Sequence, residues 1–141
     1  MTIDSPESPQ LSALREQLAE WSPPPDDLAA WPAKSLSACA EAGVYRWFLP
    51  EEFGGLGWSE PDLIRGYLAL SSACLTTTFI LTQFTGACQR IAASENEELR
   101  ERLLPELLAG RYFTTLGISH LTTSRRHLGK PTLAAEETED G

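Results

Sequence analysis

Between Arg65 and Arg90 the chain carries no charged side chain, and this stretch limits the possible folds more than any other feature. A membrane-spanning helix needs about 20 predominantly apolar residues. Residues 66–89 instead contain serine, threonine and glutamine along their length. We therefore expect two buried helices of a globular protein, from about Pro61 to Ala73 and from about Thr76 to Ala93. The apolar stripe of the first helix would be Leu63, Ile64, Tyr67, Leu68 and Ser71.

Helix-capping residues predict where these and other helices begin. Ser59 stands three residues before Asp62, and Ser94 stands three residues before Glu97. Both pairs have the spacing of a capping box, in which the first side chain accepts a hydrogen bond from the backbone of the first turn. Before these two helices, Val44–Pro50 is expected to be a short extended apolar segment.

The amino-acid composition of the chain changes after residue 111. Tyr112–Ser119 is rich in residues that favour strands. Asp140-Gly141 is a favoured turn pair at the end of the sequence. Because a lone hairpin is marginally stable in water, we expect a truncated chain. The predicted fold is mainly α, a helical bundle followed by a short incomplete β segment. Residues 1–7 would be a disordered tail, 8–111 the helical domain and 112–141 the incomplete start of a β domain.

The net charge of the 141-residue chain is −9, and its pI is about 4.6. Nucleic-acid binding depends on clustered Lys and Arg that contact phosphates, so this charge opposes it. The same charge opposes docking on anionic lipid. We expect neither a nucleic-acid partner nor a membrane span.

The three cysteines indicate a reducing compartment. Cys39, Cys74 and Cys88 lie in apolar helical contexts, where a thiol behaves as a small hydrophobe. Their number is odd and no CxxC pair occurs, so we expect free thiols and a cytoplasmic protein. His120 and His127 have no partner at zinc-ligand spacing.

The sequence has no familiar catalytic motif: GxGxxG, GxSxG and HExxH are absent. Gly54–Gly57 could be a phosphate-binding loop, but a turn is favoured because no lysine or strand–turn–helix context accompanies it. His120 could be a general base by residue type, and a structural role is favoured. Arg125, Arg126 and Lys130 could contact a phosphate-bearing cofactor or simply lie in a solvated loop.

Two segments resemble motifs of the acyl-CoA dehydrogenases. Residues 40–57, which include EAGVY and LPEEFGGLG, resemble the family's "EAG…PEE(Y/F)GGLG" motif. Residues 94–110, which run from SENEELR to LPELLAG, resemble a helix of the family. The two segments occur in the family's order and at its separation, and the resemblance covers roughly residues 30–120.

The resemblance implies an N-terminal helical domain, a middle β domain and a C-terminal helical bundle in a flavoprotein oligomer. FAD would lie between the later domains, with help from a neighbouring subunit. The substrate would be an acyl-CoA thioester or another small molecule. A carboxylate of the C-terminal bundle would remove the α proton, so no catalytic residue is expected in this chain.

The resemblance also implies contact residues. By position, the cofactor contacts would be Leu116, Ile118 and Ser119. The helix before the second motif would line the acyl pocket through Gln83, Gly86 and Ala87. His120 replaces the family's Glu and Leu121 its Pro in the flavin-contacting strand.

Two alternatives remain open at the level of sequence. One is a divergent flavin monooxygenase of the same fold, since the flavin-contacting strand departs from the dehydrogenase pattern. The other is a non-catalytic helical module that uses its apolar faces for protein association.

Overall fold

A computed structural model describes residues 2–22 and 31–117 of the chain. This part is mainly helical, as predicted. Its α-helices are α1 (Pro9–Glu20), α2 (Ala33–Glu41), α3 (Glu60–Ser71), α4 (Leu75–Ala92) and α5 (Glu97–Leu108). Two short 3-10 helices lie between α2 and α3, η1 (Val44–Arg46) and η2 (Glu51–Phe53).

Helix α4 lies at the centre of the described part and packs against α2, α3 and α5, while α1 packs against α2 and α3. The buried residues of α4 include Thr77, Leu81, Phe84 and Cys88, which recur every three or four positions. This spacing places them on one face of the helix. The buried residues of α1 and α5 are all leucines and belong to the same core, so the core is continuous across the bundle.

The charge-free stretch forms α3 and α4, and both helices begin and end within two residues of the predicted bounds. In the part of the chain that the structure describes, no helix has both the length and the apolar character needed to cross a membrane. The predicted stripe of α3 is wrong at two positions, because Ile64 and Leu68 are exposed while Gly66 and Leu70 are buried. The apolar residues of α3 cover more of the helix surface than the core can bury. The contact with α4 determines which of them are buried.

The cap of α3 is confirmed and that of α5 is corrected. Ser59 Oγ accepts a hydrogen bond from the Asp62 amide at 3.3 Å. For α5, the capping side chain is Asn96, whose Oδ1 accepts from the Leu99 amide at 2.9 Å. Ser94, the predicted cap, accepts from the Asn96 amide at 3.2 Å and so stabilises the turn before the helix. Asn and Ser are equally favoured caps, so spacing alone does not choose between them.

The segment Val44–Pro50, expected to be extended, begins as η1 and continues in turns. Gly43 ends α2 with a φ of +81°, a left-handed conformation that glycine adopts without steric cost. The chain therefore reverses tightly, and Val44, Tyr45 and Trp47 all enter the core. A short apolar run has no periodicity that separates a strand from a helical turn.

The first residues also differ from expectation, because residues 2–7 pack on the bundle instead of forming a disordered tail. The Ile3 amide donates to the Ala42 carbonyl at 2.9 Å, and Trp47 Nε1 donates to the Ile3 carbonyl at 3.2 Å. The Ile3 side chain is fully buried. A single apolar anchor in a polar segment leaves no periodic pattern in the sequence.

The strand predicted over Tyr112–Ser119 is not formed by its described residues. Tyr112 lies in a bend, and residues 113–117 have no regular secondary structure. A strand needs a neighbour to complete its hydrogen-bond ladder, and the described residues include no other strand. The rest of the predicted β segment, residues 118–141, lies outside the described part.

Candidate functional site

Helix α4 places the three predicted substrate residues on one face, since Gln83, Gly86 and Ala87 stand three and four positions apart. Gln83 is half-buried, and its amide nitrogen lies 3.5 Å from Thr82 Oγ1. Gly86 is half-buried and Ala87 is buried. The face therefore offers one polar group, followed one turn later by a position without a side chain.

The segment that follows α5 crosses this face of α4. The ring of Phe113 stacks on that of Phe84, with centroids 5.0 Å apart and planes inclined by 25°. Trp31 meets the other side of Phe113 edge-on at 5.2 Å. Tyr45 packs against Phe84 at 4.5 Å. Because aromatic pairs at these separations are stabilising beyond their buried area, Phe113 anchors the segment to α4.

Three residues beyond this anchor, Leu116 lies on Gly86. A Cβ placed on Gly86 would be 3.0 Å from Leu116 Cδ1 and 4.0 Å from its Cγ. The leucine thus fills the space that the missing side chain leaves. The structure brings together one predicted cofactor residue and one predicted substrate residue. The other two cofactor predictions, Ile118 and Ser119, lie outside the described residues.

The buried titratable groups that pack around α4 are neutral, whereas the exposed Arg90 lies one turn beyond Gly86. Burial raises the pKa of the Cys88 thiol to about 12. Burial also raises the pKa of Tyr67 to about 12, partly offset by its hydrogen bond to Thr85. Burial raises the pKa of Tyr45 as well, with smaller contributions from the nearby thiols. These groups keep their protons at neutral pH, so they add no charge to the packing around α4.

The glycine-rich loop is a turn and not a phosphate site. The amides of Gly54, Gly55 and Gly57 donate to carbonyls within the loop, at 2.9, 3.0 and 2.8 Å. A phosphate cradle needs such amides free to point at the anion. A Cβ on Gly55 would be 1.8 Å from the Leu49 carbonyl oxygen, so this glycine is required for the close approach of two backbone segments.

A cleft between η2 and α5 corresponds to no motif in the sequence. Its volume is about 660 Å³, and it has an apolar floor with arginines and carboxylates around it. Its lining includes Arg46, Glu52, Phe53, Arg100, Leu104 and Pro105. A smaller cavity of about 160 Å³ is lined by Trp31, Tyr45 and Phe113, next to the anchored segment. Residues far apart in sequence form both cavities, so no local motif could have revealed them.

No group of three potential metal ligands occurs within residues 2–22 and 31–117. The described residues form a helical domain in which the segment after α5 packs across helix α4. The sequence profile of the acyl-CoA dehydrogenase N-terminal domain matches residues 12–111, which is more than half of the chain. The chain therefore belongs to the acyl-CoA dehydrogenase family through this domain. No curated protein sequence matches it closely.

Proposed function

We propose that this chain supplies the helical wall of the substrate site in an acyl-CoA dehydrogenase-like flavoprotein of fatty acid metabolism. In the intact protein, an acyl-CoA thioester would be oxidised between its α and β carbons. The observation that carries the proposal is the contact between Leu116 and Gly86. It joins the segment expected to reach the flavin to the helix expected to line the acyl pocket.

The face of α4 offers an acyl thioester one polar group beside an apolar surface. Gln83 provides an amide that can hydrogen-bond a polar group, and Leu116 covers Gly86 with apolar atoms. Ligand pockets are commonly apolar with few, well-placed polar groups. The role of these residues is to bind and orient the substrate, because none of them is a carboxylate or a histidine.

FAD, when bound, supplies the acceptor for the substrate hydride. The described residues fit a contributing role toward it, since the backbone of 114–117 makes no hydrogen bond to another described backbone group. Of the three proposed contact residues Leu116, Ile118 and Ser119, only Leu116 is among the described residues, and it lies on Gly86 of α4. We propose that this chain alone holds no flavin and performs no dehydrogenation.

The test measures ligand binding to the purified chain by calorimetry. Butanoyl-CoA should bind weakly, and Gln83→Ala should weaken that binding several-fold. Gln89→Ala removes the same side chain from an exposed position of α4 and is the matched control. Equal effects of the two variants, or no binding at all, would contradict the proposed wall. Flavin absorbance that co-purifies with the chain would contradict the proposal that it holds no flavin alone.

A second candidate function, self-association as a homo-oligomer, is favoured by an exposed apolar surface on α3 and α4. Ile64, Leu68, Leu75 and Phe79 are 59%, 64%, 71% and 64% exposed. Contiguous apolar patches on soluble proteins commonly mark interaction sites. We propose that a second copy of the chain covers these residues.

Analytical ultracentrifugation tests this association. Phe79→Ser should shift the chain toward monomer, whereas Tyr112→Ser, which alters an equally exposed aromatic residue outside α3 and α4, should not. A wild-type chain that remains monomeric at high concentration would contradict it. The monooxygenase alternative depends on residues 119–125, outside the described part, and no described residue favours it.

We also propose that the protein works in the cytoplasm. Cys39, Cys74 and Cys88 are free and buried, a state that a reducing compartment preserves. Alkylation of the denatured protein straight from cells would label all three thiols if this is correct. Labelling of fewer thiols would indicate disulfide formation and an oxidising compartment.

A further inference from the structure

We infer that the cleft between η2 and α5 binds an amphipathic carboxylate, a small molecule with an apolar body and one anionic end. The inference goes beyond the proposed function, because Gln83, Gly86 and Ala87 of α4 do not line this cleft. It rests on the volume of the cleft, on its apolar floor and on the two arginines that line it.

The cleft has the size and the floor of a small-molecule site. Its volume of about 660 Å³ lies within the range of about 300–1,000 Å³ that is usual for ligand pockets. Phe53 of η2 and Leu104 and Leu108 of α5 line it with apolar atoms. The two leucines are 3% and 6% exposed, so they form the floor. An apolar body that packs on these side chains leaves water, which favours binding.

Backbone carbonyl groups hold both arginines of the cleft. Arg46 Nε donates to the Gly54 carbonyl at 2.7 Å, and Arg100 Nη1 donates to the Ser94 carbonyl. Both arginines are half-buried, and the side chain of Arg100 is 24% exposed. Because these bonds order the side chains before a ligand arrives, less rotamer freedom is lost on binding.

The same arginines keep donors for an anion. A guanidinium carries several N–H donors, and the hydrogen bonds that Arg46 makes to other described residues use only its Nε. Arg100 Nη2 lies 3.6 Å from a carboxylate oxygen of Glu97, whose side chain is 81% exposed. An ion pair this exposed is weak. Two N–H groups on one edge of a guanidinium match the two oxygens of a carboxylate, so each arginine can bind the anionic end.

Two glutamates also line the cleft and oppose an anion there. Glu52 and Glu101 are exposed, and among the described residues neither forms an ion pair with Arg46 or Arg100. Water and salt screen exposed charges more than half-buried ones, so the arginines act on a bound ligand more strongly than the glutamates. The cleft therefore prefers an anion to a cation, and neutralising a glutamate should tighten anion binding.

The experiment titrates the full chain with phenylbutanoate, phenylbutanol and phenylbutylammonium and follows the backbone amides by NMR. The three probes share an apolar body and differ in the charge of the end group. The carboxylate should bind most tightly and shift the amide resonances of Phe53, Arg100 and Leu104. Arg100→Gln should weaken carboxylate binding about tenfold, the effect of losing a charge-assisted hydrogen bond, and should leave the alcohol unaffected. Arg46→Gln should act in the same direction, and it remains informative if the first variant does not fold.

Arg102→Gln is the matched control, because it removes the same charge from an exposed position of α5 that does not line the cleft. It should leave the affinity for the carboxylate unchanged, whereas Glu52→Gln should raise that affinity. Equal effects of Arg100→Gln and Arg102→Gln would overturn the inference.

Three further results would also overturn it. The first is equal affinity for the three probes, or binding of none of them. The second is tightest binding of the ammonium probe, which would assign recognition to the glutamates. The third is a shift of the cleft resonances when the chain alone is diluted, which would show that a second copy of the chain occupies the cleft.

Discussion

The indole rings of Trp47 and Trp58 stack almost in parallel, with centroids 4.2 Å apart and planes inclined by 11°. Both rings lie against Gly66 of α3. A Cβ there would be 2.8 Å from Cζ3 of Trp47 and 2.9 Å from Cζ3 of Trp58. The missing side chain at Gly66 thus allows the loop after η2 to close onto the helix.

Gly66→Ala should destabilise the fold despite the better helix propensity of alanine. Propensity favours alanine by about 1 kcal/mol. Overpacking against rigid groups costs about 1–3 kcal/mol, and two stacked indoles have little freedom to move. We expect a net loss of about 1 kcal/mol in the free energy of unfolding, measured by urea denaturation. Gly86→Ala is the control, since its methyl meets the mobile end of Leu116; an equal loss there would contradict the role of the stack.

Gly43→Ala should destabilise the protein more than Gly57→Ala. Both glycines have positive φ, +81° and +60°, and a left-handed conformation costs alanine about 1–2 kcal/mol. At Gly57 nothing lies within 4 Å of the added Cβ, whereas at Gly43 the Thr2 Cγ2 atom lies at 2.7 Å. Thermal unfolding should show this difference in stability between the two variants. Adding Thr2→Ser, which deletes the Cγ2 methyl, to Gly43→Ala should remove the difference. A persistent difference in the double variant would place the cause elsewhere.

Asn96→Ala should lower stability by about 1 kcal/mol, the usual effect of losing a helix cap. Ser94→Ala should cost less, because Ser94 accepts from the Asn96 amide outside the helix. Chemical denaturation monitored by circular dichroism distinguishes the two. If Ser94→Ala lowered stability more than Asn96→Ala, Ser94 and not Asn96 would be the cap of α5.

Alkaline pH should destabilise the fold through two thiols. Burial raises the pKa of Cys39 from 9.0 to about 12, with a smaller contribution from Cys74, and burial raises that of Cys88 to about 12. In the unfolded chain both thiols ionise near their ordinary pKa of 9.0. The protonated folded state is therefore fully favoured below pH 9, and this contribution is lost as pH rises toward 12.

The free energy of unfolding, measured across this pH range, tests the effect. A Cys39→Ala/Cys88→Ala variant starts from a lower stability, because it leaves cavities. Its decline with rising pH should nevertheless be shallower. Tyr67, whose pKa is also raised, preserves part of the slope in both proteins. Parallel curves would show that the thiols ionise equally in the folded and unfolded states.

The sequence contains the information for α3 and α4, because a long stretch without charges between Arg65 and Arg90 predicts packed helices and its polar content argues against a membrane span. The cap at Ser59 is equally local, since its hydrogen bond spans three residues. Predictions of this kind need only periodicity and capping chemistry.

Contacts between residues far apart in the sequence cannot be predicted from periodicity and capping alone. That Leu116 lies on Gly86, and that Ile64 and Leu68 are exposed, depends on how the helices pack. The family resemblance assigns Gly86 and Leu116 to the site by position, but only tertiary packing determines that they touch. The cleft beside Pro105 arises in the same way, where α5 meets η2.

The burial of Ile3 has a consequence for synthesis on the ribosome. Its carbonyl binds the indole of Trp47, 44 residues later in the chain, and its amide binds Ala42. Translation proceeds at about 5–20 residues per second. Roughly 2–9 seconds therefore pass between the synthesis of Ile3 and that of Trp47. The N-terminal segment can reach its final place only after the first third of the chain has been made.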